Sequence, residues 1–296
     1  MSYAVRKSDP SLTFALRRIA RGQMEAAIAE IDDPALGPVT TVHQLRKRCK
    51  KLRGLIRLVR PGFAAYAEEN AAFRDLARDL SELRDAGAVL ETVTALEERF
   101  GETVGTAFFE TVRTRLAEAN PPADEALVTA RLAAARAAFE AAILRTETWD
   151  VKGKAPEILS KGVTATYKRA ISAMAAAAES DAPEDFHEFR KRVKYHWYQM
   201  RLLKRIWPKV IHARIGEART LADELGDHHD LAIFRLTVLP SLDCKDDPVC
   251  EVLGGLIEAE EVRLEPHCLK HGRRLFAEDA HAFGERVAAY WRAWKD

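Results

Sequence analysis

The chain has 296 residues, enough for one large domain or two smaller ones, and its composition of 47% hydrophobic and 31% charged residues is ordinary for a globular protein. The net charge is only +1, so the charge of the whole chain gives no indication of a polyanionic partner. Residues 1–10 contain no apolar signal sequence, and no apolar run reaches membrane-spanning length. We therefore expect neither a secretory precursor nor a membrane protein, and we expect a cytoplasmic location.

The cysteines give no sign of a metal centre. They are Cys49, Cys244, Cys250 and Cys268, and no two of them form the C-x-x-C pair that is typical of zinc sites. Cys49 also falls in a stripe of apolar residues. The sequence therefore predicts neither a zinc site nor a disulfide framework.

Hydrophobic spacing and turn residues predict helices along the whole chain. In the first half they cover residues 11–31, 43–57, 63–99 (one long helix or a broken pair), 105–118 and 123–147. A join at 148–156 separates them from helices over 157–179, from Pro183 to Pro208, and over 209–238, 249–276 and 278–294. No stretch alternates with period two between turn residues, so the prediction is an all-α fold.

Residues 43–57 carry an unusual concentration of positive charge. On a helix, one face collects the first basic strip, which consists of His43, Arg46, Lys47, Lys50, Arg53 and Arg57, together with Gly54. The opposite face collects Leu45, Cys49, Leu52, Ile56 and Val59. No acidic residue occurs between Val42 and Pro61. At a rise of about 1.5 Å per residue, the strip runs for roughly 21 Å.

A basic helix face is usually just a solvated surface. Ordinary solvated faces mix the two signs of charge, however, because Glu–Lys pairs stabilise a helix and stacked like charges destabilise it. The strip from His43 to Arg57 contains only cations. It therefore costs stability unless an anion neutralises it.

The same pattern recurs 144 residues later. Aligned on the histidines, Arg46, Lys47, Arg48, Lys50 and Arg57 match Arg190, Lys191, Arg192, Lys194 and Arg201. The second basic strip is therefore defined as His187, Arg190, Lys191, Lys194 and Arg201. The repeat indicates an internal duplication. We expect two pseudo-symmetric bundles of about four helices each, over 8–148 and 149–294, packed as one unit within 1–296.

These motifs resemble the CHAD family, the conserved-histidine α-helical domain. The resemblance rests on His43-x-x-Arg46-Lys47-x-x-Lys50-x-x-Arg53-x-x-x-Arg57, on its repeat from His187, and on Leu225-Gly226-Asp227-x-x-Asp230. It extends over roughly residues 8–294. It implies an all-helical protein that binds inorganic polyphosphate along a basic central surface. Trp197 and Tyr198 depart from the pattern, since they replace the equivalents of Arg53 and Gly54, so the two halves are expected to bind unequally.

Polyphosphate is a flexible line of anionic oxygens, and its receptor needs donors repeated along a line. Arg offers a planar fork to phosphate oxygens and Lys offers a compact charge. We predict that both strips bind the polymer. Basic residues on neighbouring helices are predicted to extend them, namely Arg18, Arg21, Lys168 and Arg169.

The histidines have several interpretations. His43 and His187 fit phosphate donors, although both could instead cap their helices. His196 falls on the apolar face and is expected in the core. His228, His229 and Asp230 could hold a metal ion, but adjacent histidines point about 100° apart on a helix. We therefore favour an exposed polar patch and predict no metal.

Two other functions use the same strips. Trp197 and Tyr198 could stack nucleobases in a nucleic-acid-binding protein, although packing against a neighbouring helix is favoured. A phosphotransfer protein using His43 or His187, or a metal-dependent phosphohydrolase, would be an enzyme. The sequence has no P-loop and shows no acidic cluster facing the strips that could hold Mg²⁺.

The favoured hypothesis is therefore a non-enzymatic protein without a cofactor. We expect inorganic polyphosphate as its ligand and consider nucleic acid the weaker candidate. Polyphosphate-metabolising or granule proteins are candidate partners, which would place the protein at polyphosphate granules.

Overall fold

The computed structural model describes residues 2–81, 85–119, 125–180, 182–242 and 247–296. Across these ranges the chain forms α-helices joined by short turns, and none of the residues they contain is in a strand. The helices are α1 (Leu12–Ile31), α2 (Pro38–Val59), α3 (Tyr66–Asp79), α4 (Asp85–Val104), α5 (Thr106–Ala119), α6 (Glu125–Arg145), α7 (Ala155–Glu179), α8 (Pro183–Leu203), α9 (Pro208–Ile233), α10 (Pro248–Leu275) and α11 (Ala280–Lys295). The all-α prediction is confirmed.

The helix boundaries follow local sequence signals. Ser11 caps α1, since its side chain accepts a hydrogen bond from the Phe14 N–H at 3.0 Å. α2, α7, α8, α9 and α10 each have a proline in the first turn, where a missing N–H costs nothing. The segment predicted at 63–99 is the broken pair α3 and α4, and the break predicted at Pro121-Pro122 lies outside the described residues.

The apolar side of α2 lies in the main hydrophobic core. Leu45, Cys49, Leu52 and Ile56 are 0% exposed. They pack in one cluster with buried residues of α1, α7 and α8. Burial of such a side chain stabilises the fold by about 1.5–3 kcal/mol, so this stripe determines which side of α2 can face outward.

A second hydrophobic cluster joins helices from the two halves of the sequence. Val93 and Leu96 of α4 and Phe109 of α5 pack with residues from the end of α9 and from α10. The two halves therefore share apolar contacts.

Helices α2 and α8 approach each other closely where they cross. A Cβ placed on Gly54 would lie 2.8 Å from the Cβ of Tyr198, so only glycine permits this distance. On the other side, a Cβ on Gly162 of α7 would lie 1.9 Å from the Leu58 carbonyl oxygen. Glycine in a helix is less stable than alanine by about 1 kcal/mol. At Gly54 this loss of stability allows the two basic helices to approach closely.

Gly54 and Tyr198 are also matched positions in the histidine-based alignment, since both lie 11 residues after their histidine. A two-fold axis through the crossing would bring matched positions into contact in this way. The internal duplication stays a prediction.

The N-terminal segment is packed against this crossing. The Tyr3 hydroxyl donates to the Lys51 carbonyl oxygen at 2.8 Å, and the Val5 N–H donates to the Leu202 carbonyl oxygen at 3.0 Å. Arg18 of α1 fixes the N-terminal segment by donating hydrogen bonds to both carboxylate oxygens of Asp9, at 2.8 and 2.7 Å.

The cysteines only partly follow the prediction. Cys49 and Cys268 are buried free thiols. Cys250 is disulfide-bonded, so the expectation of no disulfide was wrong for this residue. Cys244 lies outside the described residues. The apolar length needed to cross a bilayer is not reached by any helix in the described ranges.

Candidate functional site

A groove of about 600 Å³ lies between α2, α8 and α9. Its walls bring together side chains from both basic strips. The described lining residues are His43, Arg46, Lys47, Lys50 and Lys51 of α2, Lys194, Trp197, Tyr198 and Arg201 of α8, and Ile215, Arg219 and Asp223 of α9. Seven of these carry Lys or Arg side chains, and Asp223 carries the one carboxylate among them. The groove is therefore strongly cationic although the whole chain is nearly neutral.

The arrangement follows from the period of α2. Because Leu45, Cys49 and Leu52 are held in the core, residues about half a turn away must face outward. These outward positions carry the cations from His43 to Lys50. The Gly54–Tyr198 contact then sets the distance between this face and α8.

Lys51 is a groove residue that the sequence analysis missed. It lies off the first strip and is only 9% exposed. Its pKa is lowered to about 8, first by burial and then by the nearby charges of Arg48, Arg201 and Lys47, while Glu30 acts in the opposite direction. In the histidine-based alignment of the two strips, Lys51 matches Tyr195. The repeat therefore did not indicate that Lys51 lines the groove.

Arg53 and Arg57 do not line the groove. They belong to an arginine–tyrosine cluster formed by Arg53, Arg57, Arg60, Tyr66, Arg169, Arg192 and Tyr195. The guanidinium carbon of Arg57 is 4.2 Å from the Tyr195 ring centroid, which is cation–π geometry. Arg53 and Arg57 also donate to the neutral side chain of Asn70, at 3.2 and 3.4 Å.

The predicted residue Arg169 joins this cluster from α7. Burial lowers its pKa, and the charges of Arg60, Arg192 and Arg57 lower it further. The cations of α2 and α7 therefore converge here, as those of α2 and α8 do in the groove.

The second strip begins at a pair of histidines. Nδ1 of His187 lies 3.0 Å from Nδ1 of His229 in α9, a distance at which one ring N–H donates a hydrogen bond to the other ring. Burial lowers the pKa of His187, with further lowering by Lys191, Arg190 and, from α2, Lys50. Farther along the two helices, Lys50 and Lys194 line opposite walls of the groove.

Acidic side chains lie against the second strip. Glu188 forms ion pairs with Lys191 and Arg192 on the same helix. Asp230 of α9 lies 3.6 Å from Arg190. Within the residues that the structure describes, no three His, Cys, Asp or Glu side chains are grouped so as to hold a metal ion.

The carboxyl group of Asp227 also lies close to other acidic side chains. Burial raises the pKa of Asp227, and the charges of Asp230 and Asp223 raise it further. Acidic residues of α9 therefore lie near Arg190 of the second strip.

Three predicted residues belong to neither the groove, the arginine–tyrosine cluster nor the second strip. Arg18 is held by Asp9 and by the Ala4 carbonyl oxygen, so its guanidinium secures the N-terminal segment. Arg21 is exposed and pairs with Glu25 at 3.1 Å. Lys168 is exposed on α7.

Two of the other histidines, His196 and His228, are buried. His196 is 0% exposed and its Nε2 accepts from the Arg214 Nε–H at 2.9 Å, which confirms the expected core position. His228 is also buried, stacks on Phe186 and bonds Glu265 at 3.1 Å. The prediction of an exposed polar patch at residues 228–230 was therefore wrong.

The two aromatic departures pack within the protein. Tyr198 is 4% exposed and belongs to the main core, which confirms its packing role. Trp197 packs against that core, and the guanidinium carbon of Arg201 lies 4.7 Å from its ring centroid. One face of the indole is therefore already covered by a cation.

Comparison with known proteins agrees with this architecture. The family model of the CHAD domain matches residues 18–238. The fold is similar to the crystal structure of the CHAD domain from the plant Ricinus communis, with a TM-score of 0.62 and 18% identity over 94% of this chain and 95% of that chain. The comparison with curated proteins gave no match. Since the family model covers well over half of the sequence, the chain belongs to the CHAD domain family.

Proposed function

We propose that this protein binds inorganic polyphosphate without acting on it chemically. The observation that carries the proposal is the groove, in which Arg46, Lys47 and Lys50 of α2 meet Lys194 and Arg201 of α8. A ligand for such a site must be anionic and must offer many acceptor oxygens. It must also be slender enough to enter between two helices.

The extent of the basic surface favours a polymer over a single phosphate. From His43 to Arg57, the cations of α2 span about 21 Å at 1.5 Å per residue. They pass from the groove, across the crossing, to the arginine–tyrosine cluster. A chain that follows this path would contact several cations at once, so affinity should rise with chain length and fall steeply with salt.

Calorimetric titration with polyphosphates of defined length, at low and high salt, tests the proposal. We expect tight binding of long chains, weak binding of short ones, and a strong loss of affinity in high salt. A variant carrying Arg46→Glu, Lys50→Glu, Arg190→Glu and Lys194→Glu should stay helical by circular dichroism and no longer bind. Unchanged affinity in that variant would overturn the site assignment.

A matched control separates the site from a general effect of charge. Lys161, Lys209, Arg273 and Arg292 are exposed on α7, α9, α10 and α11 and do not line the groove. Changing these four to Glu alters the net charge by the same amount. This control should retain most of the affinity.

Competition distinguishes polyphosphate from nucleic acid. DNA or RNA at equal phosphate equivalents should not displace bound long-chain polyphosphate, because Arg201 and the core contacts of Trp197 leave little aromatic surface for bases. Ready displacement would favour the nucleic-acid hypothesis.

The absence of an enzymatic step belongs to the same proposal. Incubation with polyphosphate and Mg²⁺ should leave the chain length unchanged, and released orthophosphate would contradict this. We further propose a cytoplasmic location, with polyphosphate-metabolising or granule proteins as partners; co-localisation with granules would test it.

A further inference from the structure

Lys51 occupies an unusual position for a lysine in a cationic groove. It lines the groove but is only 9% exposed, whereas most lysines keep their ammonium group in water. Its Nζ lies 6.0 Å from the Tyr3 ring centroid, so the N-terminal segment covers one side of it. The side chain is therefore both partly desolvated and in contact with the groove.

The charges around Lys51 disfavour its protonated form. Lys47 and Arg48 come from its own helix and Arg201 from α8, while Glu30 of α1 is the one acid among the influences on it. That acid is engaged elsewhere, since Glu30 receives two hydrogen bonds from Arg48, at 3.1 and 2.6 Å. Lys51 is therefore surrounded mainly by like charges.

These surroundings have a chemical consequence. With a pKa of about 8, about one Lys51 side chain in ten is a neutral amine at pH 7, compared with about one in 3,000 for an ordinary lysine. Only the neutral amine is a nucleophile. The same groove holds the cations that would bind a phosphate group next to it.

We propose that Lys51 is a modification site, acylated by small acyl phosphates that bind through their phosphate group in the groove. The inference rests on the proposed function, because it needs the groove to bind phosphate. An acyl phosphate suits the site because it has two parts. Its phosphate group is an anion that the cations of the groove can bind, and its carbonyl carbon is an electrophile that an amine can attack.

The proposed reaction is an acyl transfer. The lone pair of the neutral Nζ attacks the carbonyl carbon and forms the C–N bond. The C–O bond to phosphate breaks, orthophosphate leaves with the electron pair, and the nitrogen releases one proton. Arg46, Lys47 and Lys194 line the space in which the charge on the departing phosphate would be stabilised. The product is an N-acyl lysine without a positive charge.

Acetyl phosphate is the probe for the test. The intact protein is incubated with it, and acetylation of each lysine is followed by peptide mass spectrometry, with exposed Lys161 and Lys209 as internal references. We expect Lys51 to react at least about tenfold faster than the references. At acetyl phosphate concentrations far below saturation, the rate at Lys51 reports the pKa of the free protein and should level off above pH 8. The rates at the reference lysines should continue to rise toward pH 10, following the ordinary lysine pKa.

Two further arms test the role of phosphate. Inorganic phosphate should slow acetylation of Lys51 and leave the reference lysines unaffected. Acetic anhydride, which carries no phosphate, should show a smaller preference for Lys51. A rate at Lys51 no greater than that of the references, or a preference equally strong with the anhydride, would overturn the inference.

The two proposals can fail separately. Polyphosphate binding is measured by calorimetry on unmodified protein. If polyphosphate binds and Lys51 is not preferred, this inference is wrong and the proposed function stands. If Lys51 is preferred and polyphosphate does not bind, the groove accepts small phosphates and the proposed function is wrong.

Discussion

The first basic strip, on α2, and the second, on α8, align in sequence but have different surroundings. On α2, Arg53 and Arg57 donate to the neutral side chain of Asn70, and five residues from His43 to Lys51 line the groove. On α8, Glu188 pairs with Lys191 and Arg192, and Asp230 faces Arg190. Only Lys194 and Arg201 of the second strip reach the groove.

This difference teaches that matched positions need not contribute equally. A cation that already faces an acid has part of its field cancelled, so an incoming polyanion gains less from it. We therefore expect most of the affinity to come from α2. The cations of α8 complete the opposite wall of the groove.

Reversing charge on one strip at a time gives the largest expected effect. Arg46→Glu with Lys50→Glu should weaken polyphosphate binding by at least about 100-fold, since two charge-assisted contacts of about 1.5–3 kcal/mol each are lost. The matched pair Arg190→Glu with Lys194→Glu should cost only about tenfold. Calorimetry compares the two variants, and circular dichroism checks that both fold. Equal losses would show that the acids beside the second strip do not matter.

The contact that holds the strips together is tested at Gly54. Gly54→Ala should lower the free energy of unfolding by about 1–3 kcal/mol, because the added Cβ meets Tyr198 in a close-packed core. Gly216→Ala in α9 is the control, since nothing lies within 4 Å of a Cβ placed there. That change should stabilise by about 0.5–1 kcal/mol through helix propensity alone. Denaturant unfolding of both variants measures the difference, and similar values would refute the close approach.

A smaller effect concerns the dependence of affinity on pH. In the free protein, Lys51 has a pKa of about 8 and loses its charge as the pH rises through that value. A bound polyanion raises the pKa of Lys51, so polyanion binding is accompanied by uptake of protons. Affinity should therefore be highest below pH 8 and fall about fivefold above it, an expected loss of roughly 1 kcal/mol for one cation. Lys51→Arg keeps its charge and should remove this step. Titrations at pH 7 and pH 9 compare the two proteins; the same drop in both would exclude Lys51 as the cause.

The smallest effect comes from removing an acid of the second strip. Glu188→Gln frees Lys191 and Arg192 from their ion pairs, and affinity should rise about two- to threefold, in line with the modest strength of partly exposed pairs. Glu184→Gln is the control, since Glu184 is exposed in the first turn of the same helix. An increase in the control as large as in the test variant would show that net charge alone is responsible.

Local patterns in the sequence predict much of the fold and part of the site. The period of 3.6 residues places Leu45 and Cys49 in the core and the first strip outward, because both follow from one helix. The ion pairs that partly neutralise the cations of α8 could also be predicted from the sequence. Glu188 lies three residues before Lys191 and four before Arg192, which is the spacing of ion pairs on one helix face.

Contacts between distant residues could not be predicted in this way. The burial of Lys51 depends on Tyr3 and Arg201, which are 48 and 150 residues away in the chain. The pairing of His187 with His229 links α8 to α9 across a turn whose geometry no local spacing determines. The pKa of Lys51 and the pairing of these histidines are therefore properties of the folded protein alone.

The N-terminal segment has a practical consequence for cloning. The family match begins at residue 18 and stops at residue 238. A gene trimmed to those limits would delete Tyr3, whose ring lies beside Lys51, and Asp9, which forms the ion pair with Arg18. It would also remove α11, whose Trp291 and Phe283 belong to the main core. Affinity measured on such a truncated product would report on a damaged receptor.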